Sequence, residues 1–111
     1  MMSRNIKVTK SSGNVFADLE LPNADELYAK AELARRISRI IKGRHLTQKQ
    51  AAEILGIDQP KVSALIRGHL DGFSTERLFR FLMALGRDIE IVVKPAPRSR
   101  SHGHVTVAAS S

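Results

Sequence analysis

The chain has 111 residues, room for one domain with a modest core, and a formal net charge of +7, a balance that draws a small domain to polyanions. Hydrophobic residues make up 42% but aromatics only 5%, with no Trp, so the core must be aliphatic. There is no Cys, which excludes disulfides and thiolate metal sites and fits a reducing cytoplasm, the expected compartment; no apolar run approaches a membrane span, and no secretory leader is expected.

Residues 1–13 are polar and basic, with a short alternation at Ile6 and Val8 that reads equally as a brief strand or a loose tail. Asn14 can cap a turn of helix through Val15, Phe16 and Leu19, whose apolar side chains need cover, expected from the domain itself. Leu21-Pro22-Asn23 then breaks the chain. The first long helix is predicted from Ala24 to Lys42. Leu27, Ala31, Ala34, Ile37 and Ile41 recur at helical steps, with Leu33 and Ile40 widening the stripe. Asp25 and Glu26 suit its positive end; Arg39, Lys42 and Arg44 suit the other, and Gly43 ends it. Arg35, Arg36 and Arg39 are expected on a solvated face rather than against phosphate.

The next stretch, Leu46 to Gly68, LTQKQAAEILGIDQPKVSALIRG, reads as two short helices joined by a tight turn. Thr47 is a good N-cap, and Gln50 can reach back to complete a capping box. The helix runs from Gln48 to Leu55, with Ala51, Ala52 and Leu55 inward. Ala52 is small enough to let two crossing helices approach closely. Gly56 marks the turn, where positive φ is expected, and Ile57 plugs the space between the helices. Asp58 can cap the second helix, and Pro60 is tolerated in its first turn. Val62, Leu65 and Ile66 form its buried side, and Gly68 stops it. Ala52, Gly56, Val62 and Leu65 together stand at helix-turn-helix spacing.

The exposed remainder is what separates a DNA reader from an ordinary helical hairpin. Gln59, Lys61, Ser63, Ala64 and Arg67 are left over, with no acid after Asp58. Gln bonds adenine bidentately, Lys and Arg reach guanine or phosphate, and the Ala64 methyl can sit against a thymine methyl. Gln48 can present its side chain and helix-end amides to a phosphate.

His69 to Gly72 is a loop. Phe73 and Leu78 form a hydrophobic staple around the N-cap Ser74, and a helix follows to Leu85 with Leu78, Phe81, Leu82 and Leu85 inward. Phe79 and Met83 make this helix apolar on a second face, which points to a dimer interface or to cover by the N-terminal segment. Gly86 closes it. From Asp88 to Val93 the period changes to a strand, Ile89, Ile91 and Val93 alternating with Glu90 and Val92. A lone strand needs a mate: the Ile6–Val8 segment, the same strand of a second copy, or a partner protein. Pro95 and Pro97 end it. Residues 95–111 are expected to be a flexible basic tail, where Arg98 and Arg100 add nonspecific attraction for DNA. His102 and His104 lie on it, and neither a metal nor a cofactor is expected.

No phosphate loop, dinucleotide fingerprint or oriented nucleophile is legible, so no catalytic residue is assigned and the chain is not read as an enzyme. The Leu46–Gly68 stretch resembles the Xre/Cro-type helix-turn-helix family. The wider stretch, from NVFADLELPNADEL through RLFRFLMALGRDIEIVVK, resembles its HigA-like antitoxins and their stand-alone relatives, over residues 13–94. The resemblance implies an all-α, lambda-repressor-like bundle of four to five helices, here with a short C-terminal β-strand. It also implies contact with double-stranded DNA through Thr47, Gln48, Gln59, Pro60, Lys61, Ser63, Ala64 and Arg67, with Gln48 meeting phosphate and Gln59 the first base reader. Pro60 and Ala64 depart from the family, where polar readers are frequent at both positions.

The expected organisation is an N-terminal arm (1–23), the helix-turn-helix domain (24–94) and the tail (95–111). The expected function is a dimeric, sequence-specific autorepressor on an inverted repeat, with no membrane association. The alternative is an antitoxin that neutralises a RelE/HigB-like toxin ribonuclease, alone or in addition.

Overall fold

The computed structural model describes residues 24–108, all-α in its regular structure. Four helices follow in order: α1 (Ala24–Gly43), α2 (Gln48–Leu55), α3 (Gln59–Ile66) and α4 (Thr75–Ala84). The readings made for Ile6–Val8 and Val15–Leu19 lie outside the described residues. The described chain falls into two compact units: Lys30–Ile89, and residues 24–29 with 90–108.

The larger unit carries the core. Ile37 of α1, Val62 and Leu65 of α3, Leu78 of α4 and Leu85 at its end are fully buried. Leu33, Ala34 and Ile41, Ala51, Ala52 and Leu55, and Phe81 and Leu82 complete it. Phe73, in the loop before α4, meets Phe81 edge-on, with ring centroids 5.9 Å apart. The core is otherwise aliphatic, as the composition demands. α2 packs on both α3 and α4.

The buried stripe of α1 is shifted from the expected one. Leu33, Ala34, Ile37 and Ile41 span an arc of about 100°, given about 100° of rotation per residue, and Ala31 lies outside it and is exposed. Leu27, also expected inward, is 46% exposed; it precedes the larger unit. Met83 is 52% exposed and Phe79 half-buried, so the second apolar face of α4 stays partly open.

The helix ends share one device. After α2, Gly56 adopts φ 74° and the Ile57 amide donates to Ala52 O at 3.1 Å. The left-handed residue turns the chain back so that orphan carbonyls find donors. The same fold-back follows α3 and α4. α1 ends at Gly43, as read, and the left-handed residue that follows it is His45 (φ 57°): His45 N donates to Lys42 O and Leu46 N to Ile41 O, each at 3.0 Å. Beside it, the Arg44 guanidinium donates to Leu85 O, tying the loop before α2 to the carbonyl end of α4.

The C-terminal β-strand expected over Asp88–Val93 is absent from the described residues; residues 87–97 carry no helix, strand or turn. Among the described residues the run finds no mate: residues 88–96 make no backbone–backbone hydrogen bond with any of them. The alternating apolar side chains are there, but a strand exists only as part of a ladder.

Within the smaller unit, His104 Nδ1 lies 3.4 Å from Asp25 Oδ1. The His102 and His104 rings stand edge to face, centroids 5.4 Å apart. Among the described residues no group of three or more His, Cys, Asp or Glu is placed to hold a metal. No described helix is long and apolar enough to cross a membrane.

Candidate nucleic-acid interface

The helix pair α2–α3 is fixed at both ends by its own sequence. Thr47 has extended backbone (φ −75°, ψ 165°), and its hydroxyl accepts from Gln50 N at 3.0 Å. The Gln50 amide oxygen in turn accepts from Thr47 N at 2.8 Å. This is the reciprocal box the sequence predicts, and it satisfies two of the amides that a helix start leaves bare. The Gln48 and Lys49 amides fill no such role, both side chains are exposed, and the first turn holds no acid. That end of α2 is therefore an open, electropositive corner suited to an anion.

Asp58 caps α3 in the same way, its Oδ1 accepting from Lys61 N at 3.0 Å, with Pro60 in the first turn. Its second oxygen, Oδ2, stands 4.0 Å from Lys61 Nζ; both side chains are more than half exposed, so the pair adds little to stability. Between these caps, Ala51 and Val62 are fully buried and Ala52 is 7% exposed, as close helix crossing requires. Ile57 and Ile66 are only half-buried, so the plug and the last inward residue of α3 are covered less than expected.

The predicted interface residues come together on this pair. Thr47, Gln48, Gln59, Pro60, Lys61 and Arg67 are exposed, and Ser63 and Ala64 are half-buried behind them. Gln59, Lys61 and Arg67 thus project furthest. Pro60 offers a ring and no donor at a place where a polar side chain would reach further. The helix itself is eight residues long, two turns and a fraction.

Three features are not in the sequence reading. Lys49 adds an exposed cation to the α2 start. Arg44 braces the approach to α2. Arg77 lies over both aromatic rings before and within α4, 5.4 Å from the Phe73 centroid and 5.5 Å from that of Phe81. Its Nη1 also reaches Gly72 O at 3.4 Å. The signal was the spacing: Phe73, Arg77 and Phe81 follow at steps of four.

Two short helices crossing over a left-handed turn, with a polar, cation-bearing outer face, define a helix-turn-helix protein. A family model described as a helix-turn-helix domain matches residues 15–94, and the chain belongs to that family. Within it the chain is of the Xre type. A solved structure provisionally described as an XRE family transcriptional regulator is 46% identical, with a TM-score of 0.74; the match covers 80% of this chain and 100% of that one. No curated protein matches the chain. The fold and family together make this a DNA-binding transcriptional regulator.

Proposed function

We propose that the chain is a sequence-specific repressor that acts as a dimer on an inverted-repeat operator near its own gene. The observation that carries this is the outer face of α3: Gln59, Lys61 and Arg67 exposed, with Ser63 and Ala64 behind them. Gln59 is the first base reader, and Lys61, Ser63 and Arg67 share reading and phosphate contact. Thr47 and Gln48 hold a phosphate at the start of α2, Pro60 shapes the entry of α3, and Ala64 faces a thymine methyl. Two copies would set their recognition helices about 34 Å apart in successive major grooves. Occupied operator would block polymerase. Residues 24–94 form the DNA-binding domain in this reading, flanked by the arm and by a tail whose Arg98 and Arg100 add nonspecific attraction.

The test is a fluorescence-anisotropy titration with DNA from upstream of the gene against scrambled DNA at near-physiological salt. Preference by roughly a thousandfold or more is the expected result for a specific regulator. Equal, steeply salt-dependent binding to both would reduce the interface to basicity alone.

Neutralisation of a small RelE-type toxin is the second reading. Exposed Leu27 favours it, because it leaves an apolar side chain open on the long first helix, one of the surfaces a HigA-like antitoxin would offer. An adjacent reading frame for a small basic protein that co-purifies with the chain, and is lost with Leu27→Asp, is the expected outcome.

A further inference from the structure

The run Arg87–Lys94 is the part of the described chain whose local chemistry is least satisfied. Ile91, Val92 and Val93 are 56%, 48% and 61% exposed, three consecutive β-branched residues open on both faces of the run. Residues 88–96 make no backbone–backbone hydrogen bond among the described residues. Apolar side chains with an idle row of amides and carbonyls are what an exposed strand edge presents to a pairing partner. The sequence says which partner. Laid antiparallel on a second copy of itself about Ile91, Asp88 falls opposite Lys94, Ile89 opposite Val93, and Ile91 opposite Ile91. One face of that ribbon is then wholly Ile and Val, and the other carries an acid–base pair at each end.

Neighbouring registers are worse. Centring on Glu90 sets two carboxylates directly opposite each other. Centring on Val92 brings Pro95, which has no amide to give, into the ladder opposite Ile89. About Ile91, Pro95 falls outside the Asp88–Lys94 pairing.

We infer that Asp88–Lys94 is the dimerisation strand, pairing antiparallel with the same segment of a second copy about a two-fold axis at Ile91. The pairing is isologous, so it closes after two chains and leaves the ribbon with no further like partner on that edge. This rests on the dimeric reading above and names the surface that reading requires.

The absence of native cysteine makes the geometry directly testable in the full-length chain. Directly opposed residues have Cα atoms about 4.5–5.5 Å apart, within disulfide reach. Ile91→Cys is expected to link to itself nearly completely under mild oxidation. Val93→Cys is expected to stay unlinked alone and to link when mixed with Ile89→Cys. In sedimentation equilibrium, Asp88→Lys or Lys94→Asp alone should weaken the dimer about tenfold, and the two combined in one chain should restore it. A dimer that links through Met83→Cys and not through Ile91→Cys overturns this surface and leaves the dimer standing. A wild-type chain that sediments as a monomer, with or without operator DNA, overturns both. Linking at Ile91→Cys in a chain with no DNA preference upholds the pairing and removes the repressor reading.

Discussion

The α2–α3 pair and the Arg87–Lys94 run are both short and both rich in aliphatic residues, yet among the described residues one is fully formed and the other is not. In α2–α3 every cap lies within three residues of the amide it serves: Thr47 with Gln50, Asp58 with Lys61. The stops at Gly56 and Gly68 are equally local. In the Arg87–Lys94 run the side-chain pattern is local but the hydrogen-bond partners are not. A helix can be closed by its own neighbours; a strand must be closed by something elsewhere.

The difference can be broken from the strong side first. Leu65 is 1% exposed at the base of α3, and Leu65→Ala should cost about 2–5 kcal/mol in urea unfolding, the usual range for a core truncation. A loss under about 1 kcal/mol would mean that the pair does not rest on this core. Gln59→Ala should leave stability unchanged and cost about 1–3 kcal/mol of operator affinity at one base position. Equal loss on every sequence would remove Gln59 as a base reader.

Arg44→Met removes the guanidinium donor to Leu85 O and should lower stability by about 1–2 kcal/mol, since charged hydrogen bonds matter most when partly buried. His45→Gly should raise stability in urea unfolding by about 0.5–1 kcal/mol, the relief of the Cβ clash in the left-handed turn outweighing the extra freedom glycine gives the unfolded chain. On the weak side, Ile91→Ser should change monomer stability by no more than about 0.5 kcal/mol, as for an exposed site, while abolishing dimerisation. An unfolding cost like that of Leu65→Ala would show that the run is already built into the monomer.

What was legible in the sequence follows the same division. The capping box, the Asp58 cap, the Gly56 turn and the buried Ala52, Val62 and Leu65 are all encoded by residues within a few positions of one another, and all are found as read. The inward face of α1 was read at the wrong angle, at Leu27 and Ala31, because periodicity gives the spacing of a stripe but not which side of the helix a neighbour covers; Ala24, Ala29 and Leu33 are the buried residues there. His45 was missed because a left-handed histidine has no compositional mark; Gly43 ends α1 as read, and the left-handed turn comes two residues later. Arg44 was assigned to the end of α1, whereas its partner is the carbonyl of Leu85, far along the chain. The strand over Asp88–Val93 was read from alternation alone, which specifies side-chain direction and says nothing about a ladder.

The shortness of α3 has its own consequence. Eight residues is well below the length at which a helix persists unaided in water, since nucleation costs more than so few hydrogen bonds return. The reading surface therefore exists only while Val62 and Leu65 remain buried, and operator and core are thermodynamically linked. DNA that binds only the folded state must raise the melting temperature with the logarithm of its concentration, and by more for operator than for scrambled sequence. Conversely, a core substitution far from any base lowers apparent operator affinity in proportion to the folded fraction it removes. Recognition in this protein is a property of the folded population and not of a helix that could be excised and kept.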